Sequence, residues 1–246
     1  MIRTVDTDVV VLAIALQHRL TNTDLWIEFV SHGNVRYISA NAIASALGSL
    51  RAIALPFFHA FTGCDTVSSF AFHGKKSAWE TWNNFSDVTE TFAALSCEPE
   101  NVHEYLPAVE RFVVLMYDRS SSCQLVNDAR QQLFGRKGGR FDSLPPTQAA
   151  LLQHIKRAAY QSGYCWHQSL QAAQVLPSCA DWGWMRLSES SKWQPLWTVL
   201  PPAGEAAPQL LSCKCVKGCV QNCKCLKAKL ACTALCRCNS SCSNAS

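Results

Sequence analysis

The chain has 246 residues, 48% hydrophobic and 16% charged, with a formal charge of +4, enough apolar material for one ordinary core and a satellite module. Its longest apolar run, the eight residues Val9 to Leu16, is far short of the roughly 20 that cross a bilayer, and Asp6 and Asp8 stand where a secretory leader would be basic. Composition therefore argues against a membrane span or a secreted chain and predicts an intracellular protein. The charge is uneven: the last 34 residues hold six Lys or Arg and no acid, leaving 16 basic against 18 acidic side chains, a balance of −2, in residues 1–212. Attraction for polyanions belongs to the tail.

In chain order, Val9 to Leu16 is rich in Val and Ile with acids at its entrance, a pattern that predicts a strand buried on both faces, as in parallel sheets. Asp24 to Val30 and Val35 to Ser39 alternate apolar and polar residues around His32-Gly33-Asn34, which predicts a hairpin. Helices are expected over Asn41 to Leu50 and part of Ala52 to Phe61, interrupted at Pro56. Two more follow, one carrying Leu106, Val109, Val113 and Met116 at helical spacing. The other carries Ala150, Leu151, His154, Ile155 and Ala158 after Pro145-Pro146.

Gly135 to Leu144 reads as a basic, Gly-rich loop whose run Arg136-Lys137-Gly138-Gly139-Arg140 is expected to be solvated. Four tryptophans crowd into Asp181 to Leu200, with Trp166 just before them, which suits a small packed platform better than a base-stacking surface. Pro201 to Pro208 reads as a linker. The expected divisions are a core at 1–85, a helical region at 86–180, a Trp-rich segment at 181–202, a linker at 203–212 and a cysteine module at 213–246.

Of fourteen cysteines, five are scattered singly (Cys64, Cys97, Cys123, Cys165, Cys179) and nine lie in the tail: Cys213, Cys215, Cys219, Cys223, Cys225, Cys232, Cys236, Cys238 and Cys242. That asymmetry favours metal in a reducing compartment over a disulfide knot. A segment of about 30 residues with few large apolar side chains cannot fold by hydrophobic burial, so bound metal must supply its folding free energy. Zinc takes four thiolates, and nine do not divide into isolated four-coordinate sites. If three thiolates each bridge two metals and six are terminal, twelve bonds satisfy three zinc ions.

Cys213 to Cys242 resembles a CXC domain of the tesmin type, including the run Lys227-Ala228-Lys229-Leu230-Ala231-Cys232-Thr233 between its halves. Relatives with this spacing bind DNA and work in chromatin, so the resemblance implies a nuclear DNA-binding module. Its cations are Lys214, Lys217, Lys224, Lys227, Lys229 and Arg237. Some members read DNA with a Tyr beside a C-x-C pair, whereas Asn222 precedes Cys223 here. Lysines on a small cluster suit phosphate contact without specifying a sequence.

Carboxylates at strand ends can converge on a divalent metal, and two-metal phosphodiester hydrolysis needs such hard oxygen ligands; Asp6-Thr7-Asp8 and Asp65 are the candidates. The stretch Val5 to Trp82 resembles the PIN-like core of flap-endonuclease-type nucleases, through Asp6-Thr7-Asp8, Gly63-Cys64-Asp65 and Gly74-Lys75-Lys76-Ser77-Ala78. The resemblance implies an α/β fold with a parallel sheet, Mg²⁺ or Mn²⁺ at Asp6, Asp8 and Asp65, and a phosphate grip at Lys75 or Lys76. The family's opening strand and its Glu-bearing helix would precede Asp6, so the resemblance implies a core incomplete at its N-terminus. Gly74 also stands alone where the nucleases use two glycines.

His59 and His73 flank the Gly-Cys-Asp motif and are expected to be packing residues, as is Cys64 beside Asp65. The overall layout is similar to that of mobile-element-associated proteins of animals. The function expected is a zinc-binding, DNA-binding protein with a partial nuclease-like domain. The competing readings are a Mg²⁺-dependent structure-specific endonuclease and a protein-interaction scaffold. No membrane partner or small-molecule substrate is expected.

Overall fold

The structure is a computed structural model, and it describes residues 1–20, 23–31, 33–136, 143–187, 192–198, 212–216, 218–233, 236–238 and 242–244. The body mixes helices with two small sheets. Strand β1 (Ile2–Thr4) pairs parallel with β2 (Trp26–Ser31), and β2 pairs antiparallel with β3 (Asn34–Ser39), giving the order β1-β2-β3. The sheet is therefore mixed, with one parallel pair, rather than the wholly parallel sheet expected.

The segment predicted as a buried strand is a helix, α1 (Thr7–Ala15). An unbroken apolar run carries no period and fits either element. The local chemistry decides: Asp6, in extended backbone, accepts the Asp8 N–H at 2.8 Å and caps the helix start. The strand position is filled by Ile2–Thr4, with α1 as the crossover to β2.

The hairpin Trp26–Ser31 and Asn34–Ser39 forms as its alternation predicts, with Ile27 fully buried. Helix α2 (Ala40–Leu47) is capped by the Ser39 hydroxyl, and its Asn41 side chain bonds both the Leu25 N–H and the Thr23 carbonyl, locking helix to strand. Gly48 separates α2 from α3 (Ser49–Phe61). Pro56 lies inside α3 instead of ending it, because packing around a buried helix can outweigh one missing backbone bond.

Helix α3 is the hub. Every residue from Ala54 to Phe61 is buried. It packs against α1, α2, α5 (Val88–Cys97), α8 (Gln148–Ala159) and the π-helical turn Tyr160–Trp166. Phe57 and Phe61 meet Phe92 of α5, which also meets Trp82 of α4 (Lys75–Asn84) and Phe112 of α6 (Val102–Tyr117), with centroids 5.1 to 6.3 Å apart. Glu110 is buried but satisfied, accepting from the Val126 N–H of α7 (Val126–Arg136) and from Gln148 of α8. The predicted helices around Val109 and Ile155 are thus α6 and α8.

The last four carbonyls of a helix lack internal partners, and at the buried end of α3 each finds one. Phe58 O accepts from the Thr62 N–H and hydroxyl, Ala60 O from the Gly63 N–H, His59 O from Lys75 Nζ at 2.7 Å, and Phe61 O from His154 Nε2 at 2.8 Å. Gly63 has φ +114°, which disfavours any side chain there.

The Trp-rich segment is a short hairpin, β4 (Trp184–Arg186) with β5 (Trp193–Pro195). It docks on α8: Arg157 donates to Gly183 O at 3.0 Å, and Trp182 packs edge-on to Tyr164. A Cβ on Gly183 would lie 2.5 Å from Gln153 O, so the approach needs glycine. The platform reading suits this docking, while the basic loop beyond Arg136 and the linker at 201–208 lie outside the described residues. Among the described residues no single helix is long and apolar enough to span a membrane.

Burial holds the His154 imidazole down at about 4. Its folded-state value lies below its unfolded one, so the unfolded chain binds the extra proton and stability is lost as pH falls from about 6.5 to about 4, by up to about 3 kcal/mol. All eight tryptophans lie between Trp26 and Trp197, so urea unfolding followed by Trp fluorescence reports the body alone. The wild type is expected to lose stability across that range, and His154→Gln to flatten the loss.

Candidate metal centre

In the tail the usual hydrophobic order is inverted. Val216, Val220 and Leu226 are exposed, while Cys213, Cys219, Cys223, Cys225, Cys232, Cys236 and Cys238 are buried, with Cys215 and Cys242 packed against them. The backbone wraps the sulfurs through a few bonds: Arg237 N–H to Cys213 O, Leu230 N–H to Cys225 O, and Cys232 N–H to Asn244 O. Cys223 stands at the N-cap of the single-turn helix α9 (Lys224–Lys227).

Among the described residues no disulfide joins any of the cysteines. The sulfur separations are 3.7 Å for Cys213–Cys219, 4.0 Å for Cys213–Cys232, 3.6 Å for Cys219–Cys232 and 3.6 Å for Cys225–Cys236. Tetrahedral zinc with bonds of about 2.3 Å sets its thiolates about 3.8 Å apart, so the cage has the size the ion requires. Among the described residues three sets of four ligand atoms converge within 4.8 Å. They are Cys213, Cys225, Cys232 and Cys236; Cys213, Cys219, Cys223 and Cys232; and Cys219, Cys232, Cys238 and Cys242. The donor set is all sulfur, which suits zinc and does not suit Mg²⁺.

The thiols are not equivalent. The Cys223 sulfur accepts the Leu226 N–H, which lowers its pKa to about 6, while burial pushes Cys225 up to about 12. Metal binding requires thiolates, so protons compete for the cage.

Among the predicted cationic residues, Lys214, Lys224, Lys227, Lys229 and Arg237 are exposed around the cage, and Lys217 lies outside the described residues. Lys227 donates to Asn222 Oδ1 at 3.1 Å.

The acids of the first third lie apart in role. Asp6 caps α1, Asp8 accepts from His59 Nε2 at 2.7 Å, and Asp65 sits exposed on the turn closed by the reciprocal Cys64 and Val67 backbone bonds. Asp6, Asp8 and Asp65 do not form a set of three ligand atoms within 4.8 Å. His59 is buried; burial first, then the charge of Lys75, lowers its pKa, against the opposing pull of Asp8. The neutral imidazole therefore donates Nε2–H to Asp8. This pair spans 51 residues and no local pattern announces it. His73 packs its ring 4.2 Å from Tyr117, and Cys64 lies 3.5 Å from the Thr66 hydroxyl.

Lys75 turns inward. Its ammonium donates to His59 O, to the Thr62 hydroxyl and to Gly63 O at 2.7, 3.2 and 2.5 Å, while Lys76 is exposed. Both cations of the predicted phosphate grip are thus placed, and one of them closes α3.

No protein-family model, curated protein or solved structure matches the chain, and the functional reading rests on the residues themselves. Replacing Lys75 by Met is expected to destabilise the body by about 1.5 to 3 kcal/mol, the range for charged hydrogen bonds. Lys76→Met should stay within about 0.5 kcal/mol, and denaturant midpoints read by Trp fluorescence decide between them.

Proposed function

We propose that residues 213–246 hold three zinc ions in a nine-thiolate cluster and present its lysines to a DNA backbone, carried by a mixed α/β body with PIN-like ancestry. The single observation that carries this reading is the overlap of the three four-cysteine sets at Cys213, Cys219 and Cys232. Cys215 lies against Cys213, Cys219 and Cys223, and it takes the place of Cys232 in the second set. Each metal then has two shared and two terminal thiolates. Cys213, Cys219 and Cys232 are the bridges, and Cys215, Cys223, Cys225, Cys236, Cys238 and Cys242 are terminal.

Three divalent ions and nine thiolates leave the cluster at −3, against six basic side chains and no acid, so the module stays cationic. Exposed cations on a compact knot favour phosphates over base edges. A protein of this kind would act on chromatin in the nucleus. The body's role in this reading is that of a folded carrier, since Asp6 and Asp8 are engaged by backbone and His59 respectively.

Native mass spectrometry of the full chain should give three zinc ions, and two or none would overturn the cluster. Affinity for duplex DNA, measured by fluorescence anisotropy against salt, should fall with a logarithmic slope of about −3 to −5, as for four or five phosphates neutralised. Binding that survives deletion of residues 213–246 would remove the contact from the tail. Cleavage of branched or single-stranded DNA in Mg²⁺, lost in Asp6→Ala and Asp65→Ala, would replace this reading with the endonuclease one.

A further inference from the structure

Asn244 follows the last cysteine by two residues, and nothing in the ligand spacing draws attention to it. Its side-chain Nδ2 donates to the Cys232 sulfur at 3.4 Å and to Leu230 O at 2.9 Å, while its main-chain oxygen accepts the Cys232 N–H at 2.7 Å. Both faces of Cys232 are therefore held by one residue. The amide orientation follows from the partners, since a flipped group would set its oxygen against a carbonyl and a sulfur.

Cys232 is also the residue that all three four-cysteine sets contain, and it is 1% exposed. A thiolate shared between two metals must keep one direction for both bonds. An N–H on its remaining lone pair fixes that direction, as outer partners of metal ligands do. The donor is a neutral amide, which adds no charge to a site that already carries an excess of thiolates.

We propose that Asn244 is a positioning residue of the metal cluster, orienting the bridging thiolate of Cys232 through its side-chain N–H. This rests on the three-zinc reading above. It separates the tail's ligands from the residue that aims them, and it extends the functional module two residues beyond Cys242.

The test compares the full-length wild type with Asn244→Ala and with the near-isosteric Asn244→Asp, which has no N–H to give. Both variants keep the main-chain bond to Cys232. Three readouts are taken: zinc per chain by native mass spectrometry, the rate of zinc transfer to a chromophoric chelator, and the thiolate-to-metal charge-transfer band of the Co²⁺-substituted protein. At saturating zinc all three proteins are expected to hold three ions. Both variants should release zinc about ten- to a hundred-fold faster, the range that outer-shell partners command. Their charge-transfer bands should move to lower energy, because a thiolate without its hydrogen bond gives up an electron more readily.

Unchanged release rates in both variants would overturn the proposal. Faster release with an unmoved band would also overturn it, since that is the outcome of a purely structural contact. A wild-type count other than three would overturn the cluster reading itself, and the bridging role of Cys232 with it.

Discussion

The body of this protein depends on closing one buried helix end. Helix α3 sinks every residue from Ala54 to Phe61, and its terminal carbonyls emerge where water cannot solvate them. An unpartnered buried carbonyl costs about 1 to 3 kcal/mol, so four of them would cancel a large share of a small domain's stability. Thr62, Gly63, Lys75 and His154 remove that cost. In doing so they tie α4 and α8 to the hub and fix the turn that displays Asp65. Thr62, Gly63 and Lys75, which bound the segment expected to serve a nuclease-like site, are thus committed to helix termination in three dimensions.

The tail obeys a different constraint. It buries sulfur instead of carbon, with Val216 and Val220 left outside, so contacts among its side chains cannot replace the ordering of its backbone. Metal bonds can. Body and tail therefore draw on separate sources of folding free energy, and they should respond to different perturbants: burial and hydrogen bonding to urea, the thiolate cage to chelators and protons.

How much of this is legible in the sequence follows from the range of the interactions. The hairpin through Gly33, the helix around Val109 and the one around Ile155 rest on local periodicity, and they form where that periodicity places them. Val9 to Leu16 reads as a strand and folds as a helix because a uniformly apolar run has no period; its helical state is settled by one carboxylate, Asp6, bonding one N–H. The pairs Asp8–His59 and Phe61–His154 lie 51 and 93 residues apart, and no spacing rule reaches so far. The metal ligands are legible because a short segment so dense in cysteine and so poor in large apolar side chains has little to fold around except metal. Which of them the proposed cluster would share is not, since sharing would depend on how the chain folds back from Cys232 to Cys213 and Cys219.

The proposed cluster would also bound how the tail attracts a polyanion. At −3 it would sit among its own lysines, and within a Debye length of about 8 Å those charges would partly neutralise one another. Lys227 is tied to Asn222 by a surface hydrogen bond. The field that reaches solvent would then be weaker than six cations suggest, carried among the described residues by the exposed Lys214, Lys224, Lys227, Lys229 and Arg237. A contact of that kind holds a phosphate backbone loosely and without sequence preference. Residence at a particular place would then require a second attachment, from another copy, another domain or a partner protein, so that modest affinities multiply through effective concentration.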